Sequence, residues 1–269
     1  MNAVAPLSDA ETSGGGGVPV VIFPHAGGSP RFLLHWTGAI PKARLFGVTY
    51  PGRDARLHER HRDNPHGDSL VGLARSIADD LAAAGLAEAA PVLVGHSMGA
   101  LVAYETAAAL AARGARGIQV VVSGQNPPSR GVGTALHRDT DAKLIADIVR
   151  QNPASAELWQ VPELRDMFLP AVREDYRLLE TYACTGAVIP DIHVVFGDRD
   201  DEVDPVRIGE WNGFATQRRA PVRCAGGHFY LQAPDTQLPE LISTICAGAG
   251  AGAGAGADVR AARGVCADV

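Results

Sequence analysis

No two cysteines in this 269-residue chain stand close enough to form a CxxC pair; Cys184, Cys224, Cys246 and Cys266 are scattered over its C-terminal third. That spacing excludes a zinc finger or ribbon and offers no disulfide framework, so the thiols are expected to be reduced and mostly packed. Basic charge is scarce as well. Lysine and arginine number 24 against 30 aspartates and glutamates, a formal net charge of -6. A surface that tracks phosphates needs the opposite balance, so no nucleic-acid partner is expected. Nowhere is there an apolar run of the ~20 residues that cross a bilayer. Residues 1–17 have neither the basic nor the apolar region of a secretory signal, so no membrane partner is expected and the chain reads as cytoplasmic.

What is present is an ordinary globular balance. Hydrophobic residues make up 46% and charged residues 20%, enough to bury a large core within one domain that carries an insertion. Glycines 14–17 suggest a flexible leader over residues 1–17, and the Ala/Gly alternation over 247–257 suggests a low-complexity tail over 248–269. The domain proper is then 18–247. Within it, short Val/Ile-rich runs at 18–23, 43–50, 91–94, 118–122, 192–196 and 222–224 read as buried parallel strands. Helical spacing appears at 69–84, 100–112 and 238–246. Alternating strand and helix give an α/β class with a doubly wound, mostly parallel sheet. The alternation fails over about 125–182, where helical patterns such as 142–150 and 170–182 follow one another with no strand between them. That stretch reads as an inserted helical lid, placed to cover a pocket.

The chemistry starts where strand 91–94 runs into Gly95-His96-Ser97-Met98-Gly99 and a helix begins at once. This is the G-x-S-x-G nucleophile elbow in its proper strand–turn–helix context, and it indicates the α/β-hydrolase fold. Glycine is needed at both flanks because the turn is strained and a side chain there would strike neighbouring main chain. A serine hydroxyl is a poor nucleophile at neutral pH, so a base must reach it and a carboxylate must orient that base. His228, in Gly226-Gly227-His228-Phe229 between the last strand and the last helix, has the base's place; His25 and His96 read as shaping neighbours. The acid should follow strand 192–196. Asp200 is favoured, three residues beyond Gly197 and three before Val203, with Asp198 and Asp201 as alternatives. Two backbone N–H groups should receive the developing oxyanion: that of Met98, after the nucleophile, and that of Ala26, in Pro24-His25-Ala26-Gly27-Gly28.

Phe23-Pro24-His25-Ala26-Gly27-Gly28, Tyr50-Pro51-Gly52-Arg53, Gly95-His96-Ser97-Met98-Gly99-Ala100 and Gly226-Gly227-His228-Phe229 together resemble a type II thioesterase of polyketide or nonribosomal peptide synthesis. Pro170, Arg173, Asp175, Tyr176 and Tyr182 resemble that family's pattern at the end of the lid. The resemblance implies a serine thioesterase acting on acyl or peptidyl carrier proteins, with a Ser97–His228–Asp200 triad. It also implies a monomer with no metal and no cofactor of its own, since the phosphopantetheine arm belongs to the substrate. A carboxylesterase or acyltransferase on the same fold is the alternative. Arg31, Arg53, Arg56 and Arg60 are candidate contacts for an acidic carrier.

Overall fold

The computed structural model describes residues 2–7 and 17–249. Among the described residues eight strands form one sheet. They are β1 (Val4–Pro6), β2 (Val18–Phe23), β3 (Ala43–Val48), β4 (Val92–His96), β5 (Gln119–Ser123), β6 (Ile189–Gly197), β7 (Ala215–Gln217) and β8 (Val222–Cys224). The order is β1-β3-β2-β4-β5-β6-β7, with β8 also on β6, and every pairing is parallel except β1 with β3. The long β6 takes two short neighbours: Ile189 lies opposite Ala215 of β7, and Gly197 lies opposite Cys224 of β8. The chain leaving β8 therefore emerges beside the chain leaving β6.

The central strands are apolar at successive positions because both faces are covered. Val21, Phe23, Leu93, Val120 and Val122 pack in one cluster with α1 (Leu70–Ala83) and α2 (Met98–Ala112). The alternate residues Val20, Ile22, Val92, Val94 and Val121 pack with Leu238, Ile242 and Ile245 of α6 (Leu238–Ala249) and with Trp36. Each such side chain contributes roughly 1.5–3 kcal/mol when fully buried. Ser69 caps α1, its Oγ accepting from Gly72 N–H at 3.0 Å.

Two expectations need correction. Residues 4–6 of the anticipated leader form β1, antiparallel to β3 with Val4 opposite Val48, and Ala3 N–H donates to Asp80 at 2.7 Å. Three residues with one buried valine are enough for an edge strand once a neighbour supplies the hydrogen-bond ladder. At the other end, α6 runs on to Ala249, into the anticipated tail. The remaining tail, 250–269, and residues 14–16 of the glycine run lie outside the described residues. No described helix is long and apolar enough to cross a membrane.

Between β5 and β6 lie α3 (Asp141–Gln151), α4 (Ala156–Gln160) and α5 (Pro162–Glu180), helices with no strand between them in the stretch 125–182 where a lid is expected. The sequence pattern started the last helix at Pro170, but it begins at Pro162, where proline suits the first helical position. Pro170 sits inside α5, next to a buried face formed by Leu169, Val172, Tyr176 and Leu179. Tertiary packing of that face outweighs the hydrogen bond a mid-helix proline forfeits.

An ion pair secures the far edge of the sheet. Arg219, between β7 and β8, donates to both carboxylate oxygens of Asp191 on β6, at 2.5 and 2.7 Å. Burial alone would raise Asp191, but the hydrogen bonds from Arg219 and His193 outweigh it and bring the carboxyl from 3.8 down to about 2. A depressed carboxylate stabilises the fold above its unfolded value and ceases to do so as pH falls through the folded one. Asp191→Asn is therefore expected to melt at a lower temperature than the parent at pH 7, with the difference shrinking between 3.8 and about 2; thermal melts across that window check it.

Candidate active site

The C-terminal ends of β2, β4, β6 and β8 converge on one side of the sheet, the usual place for ligands in open α/β folds. Ser97 occupies the single residue between β4 and α2. Its backbone is forced to φ 54°, ψ −125°, a conformation that costs an L-residue about 1–3 kcal/mol. Two devices hold it. Ser97 N–H donates to Ser123 O at 2.9 Å, and the flanking glycines permit contacts no side chain would allow. A Cβ on Gly95 would lie 2.1 Å from Gly99 O, and one on Gly99 would lie 2.2 Å from Phe23 O.

The acid loop closes as a pair of turns around Asp200, whose N–H donates to Gly197 O and whose carbonyl accepts from Val203 N–H, each at 3.3 Å. Val203 is buried and anchors the loop. The loop after β8 is zipped alongside: Asp198 N–H donates to Cys224 O at 2.8 Å and Arg199 N–H to Gly226 O at 2.9 Å. This registration brings His228 Nδ1 to 3.0 Å from both carboxylate oxygens of Asp200, each residue being 7% exposed. A carboxylate only accepts, so Nδ1 carries a proton and donates, and in the neutral ring Nε2 keeps the lone pair. Nε2 is buried and makes no hydrogen bond to any described residue, Ser97 Oγ included, so the serine–histidine contact expected from the sequence is not closed here. The alternative acids do not compete: Asp198 and Asp201 are both exposed, and Asp198 accepts from Gly226 N–H.

Ser97 and His228 line one cavity of about 550 Å³, together with His25 and Ala26 from the loop after β2 and with lid side chains such as Trp159 and Val172. Within that loop Gly28 N–H donates to His25 O at 2.9 Å and Gly27 N–H to Asp175 at 2.7 Å. Ala26, which lines the cavity, lies between those two contacts, and Met98 is the first residue of α2, where an N–H has no intrahelical acceptor.

His25 and His96 are kept uncharged. Burial, and then the neighbouring His228, brings His25 down to about 3; its ring packs edge-on against Phe32 and Phe229. Burial likewise lowers His96, whose Nδ1 lies 3.0 Å from Ser123 Oγ and whose ring sits 4.8 Å from that of His228. Both are shaping neighbours, as the sequence suggested, and neither places a cation beside the base.

The arginines divide. Arg31 and Arg60 are exposed, but Arg53 is 5% exposed and paired with Asp175 at 2.6 Å, while Arg56 is turned onto Glu59 and Thr49 O. Arg53 is thus an internal residue rather than a contact for a partner, because the Gly52 turn folds it under the loop after β2. Asp175 is the site residue to which sequence reasoning gave no role. A signal was present: on α5 it falls among Val172, Tyr176 and Leu179, a charge on an otherwise apolar face.

Serine after β4, acid after β6 and histidine after β8 is the chain order of the α/β-hydrolases. Comparison with known proteins narrows the class: residues 18–248 match the family described as thioesterase domain, and the chain belongs to it. A probable cadicidin biosynthesis thioesterase of Streptomyces griseus is 36% identical over 243 residues, covering 86% of this chain and 62% of that protein. Thioesterase PikA5 of Streptomyces venezuelae is 32% identical over 218 residues, covering 80% of this chain and 75% of that one. The chain thus spans less than two thirds of the length of the first relative and three quarters of the second. Among solved structures, YbtT, the type II thioesterase of the yersiniabactin pathway, matches with TM-score 0.78 at 29% identity over 92% of this chain and 99% of its own. The type II thioesterase BorB of the borrelidin cluster gives 0.74 at 28% over 92% and 97%. The likeness to type II thioesterases read from the motifs therefore holds across the fold.

Proposed function

We propose that this chain is a serine thioesterase that hydrolyses acyl groups from the phosphopantetheine arm of acyl or peptidyl carrier proteins. Its task is to clear stalled or aberrant acyl units in polyketide or nonribosomal peptide synthesis. The observation that carries this reading is His228 Nε2, unpartnered, with Nδ1 held by Asp200, on the same cavity as the strained Ser97. Membership of the thioesterase family and the likeness to biosynthetic type II enzymes support the thioester as the bond cleaved.

In this reading Ser97 Oγ attacks the thioester carbonyl while Nε2 takes the hydroxyl proton. The carbonyl oxygen, now negative, accepts from Ala26 N–H and Met98 N–H, each donor lowering the barrier by about 2.7–4 kcal/mol. The C–S bond breaks, His228 returns its proton to the departing thiol, and the acyl group stays on Ser97. Water then attacks the ester with His228 again as base, releasing the acid and restoring the serine. Pantetheine arrives with the substrate and no resident cofactor takes part. We place the work in the cytoplasm and in a monomer.

Acyl release from loaded carrier proteins, compared for the parent and Ser97→Ala, tests this. Release is expected from the parent alone, and faster from an acyl-pantetheine thioester than from the matched oxyester. Equal release by parent and variant ends the reading.

A further inference from the structure

Asp175 is fully buried on α5, yet three donors converge on its carboxylate. Arg53 Nη2 lies 2.6 Å away and Gly27 N–H donates at 2.7 Å, both to Oδ2, while His61 Nε2 is 3.0 Å from Oδ1. Burial penalises the ionised form, but Arg53, then His61 and the Gly27 N–H, hold the carboxyl below the usual carboxylate range. A buried ion pair is weak evidence of stabilisation, because apolar residues of similar volume commonly do as well. What needs explaining is therefore where these contacts fall.

They fall on the loop Pro24–Gly28, group by group. Tyr50 O–H donates to Pro24 O at 3.1 Å, Gly28 N–H to His25 O at 2.9 Å, Gly27 N–H to Asp175, and Arg53 Nη1 to Gly28 O at 3.0 Å. His25 O shares a peptide plane with Ala26 N–H, so fixing one aims the other. Gly27 N–H, the competing donor one residue on, is drawn away toward Asp175. The lid helix presses directly on this arrangement: a Cβ at Gly27, φ +75°, would lie 2.8 Å from Val172, and one at Gly52, φ +82°, would lie 2.8 Å from Ala171. The same helix walls the cavity through Phe168, Val172 and Tyr176.

We infer that Asp175 is a positioning residue that ties the lid helix to the oxyanion loop, through Gly27 N–H and Arg53, so that Ala26 N–H points into the cavity. The inference rests on the hydrolase reading above. It assigns Asp175 to the rate of the chemical step and not to substrate affinity.

Three variants test it, with folding followed by thermal melting and turnover by hydrolysis of an acyl-pantetheine thioester. Asp175→Ala removes the acceptor. Arg53→Met/Asp175→Leu removes both charges at similar volume and is the variant built to fold. Asp175→Asn keeps an oxygen for Gly27 N–H and Arg53 and an N–H₂ that can donate to a neutral His61. A loop donor displaced by an ångström costs about a hundredfold, so the first two should lose kcat on that scale with KM changed by less than about twofold, as for an interaction made in the transition state. Asp175→Asn should recover most of the loss, which a purely packing role would not require. Parental kcat in the folded double variant, or a loss confined to KM, overturns the inference while leaving the hydrolase reading intact. Full activity of Ser97→Ala would remove both.

Discussion

Asp200→Asn is expected to lower kcat for acyl-thioester hydrolysis by roughly 10⁴-fold, the scale seen when a triad histidine is held in the wrong tautomer, while the protein still melts near the parental temperature. The local contacts explain why the amide cannot substitute. Glu202 N–H donates to Asp200 Oδ1 at 3.0 Å and pins an acceptor at that position. In the asparagine variant the carbonyl oxygen stays there, and although it too lies 3.0 Å from His228 Nδ1, the N–H₂ takes the place of Oδ2 at the same 3.0 Å, where an Nδ1–H would oppose it. An N–H₂ facing Nδ1 needs a lone pair on it, which moves the imidazole proton to Nε2, the atom that must receive a proton from Ser97. The fold loses little because volume, the Glu202 contact and a hydrogen bond to His228 all persist. Steady-state kinetics with a melt of the same preparation separate the two effects. Near-parental turnover in folded Asp200→Asn would strip Asp200 of this role, and neither exposed neighbour, Asp198 or Asp201, stands ready to inherit it.

The difference between what the residues announced and what they concealed has a physical pattern. Strands covered on both faces, such as residues 18–23 and 118–122, are legible because burial demands an unbroken apolar run, and they fall within about a residue of β2 and β5. The three-residue strands β1 and β7 lie at the sheet's edges, where one neighbour suffices and composition carries little signal. The positions of Ser97, His228 and Asp200 in the fold could be read because each obeys chain order and a local turn: Val203 does anchor the loop after β6, and the flanking glycines do border main-chain atoms. The Asp175–Arg53–His61 cluster could not. Its members come from the lid and from the stretch after β3, and only the fold decides that Arg53 turns inward and Arg60 outward.

The elbow glycines should be the least forgiving positions outside Ser97, His228 and Asp200. At Gly99 an added Cβ would meet Phe23 O at 2.2 Å and Pro24 O at 2.5 Å, main-chain carbonyls that have no rotamer to change. Pro24 O already accepts from Tyr50 O–H, so the loop cannot give way without surrendering that bond as well. Either α2 retreats and carries Ser97 and Met98 with it, or the loop retreats and carries Ala26; both motions separate the nucleophile from its oxyanion donors. Gly99→Ala is expected to lose at least about a hundredfold in kcat and to cost on the order of 1–3 kcal/mol in overpacking. Gly95→Ala should behave similarly for a different reason, since its Cβ would fall 2.1 Å from Gly99 O and 2.6 Å from Ala100 Cα, inside the first turn of the helix that presents the serine. Gly209→Ala, whose Cβ would meet nothing within 4 Å, is the control and should leave both quantities unchanged. Thermal melts and kcat measured together on the three variants decide the matter: an active, normally melting Gly99→Ala protein would mean that the helix and the loop after β2 are not in the close contact on which the geometry of the oxyanion donors depends.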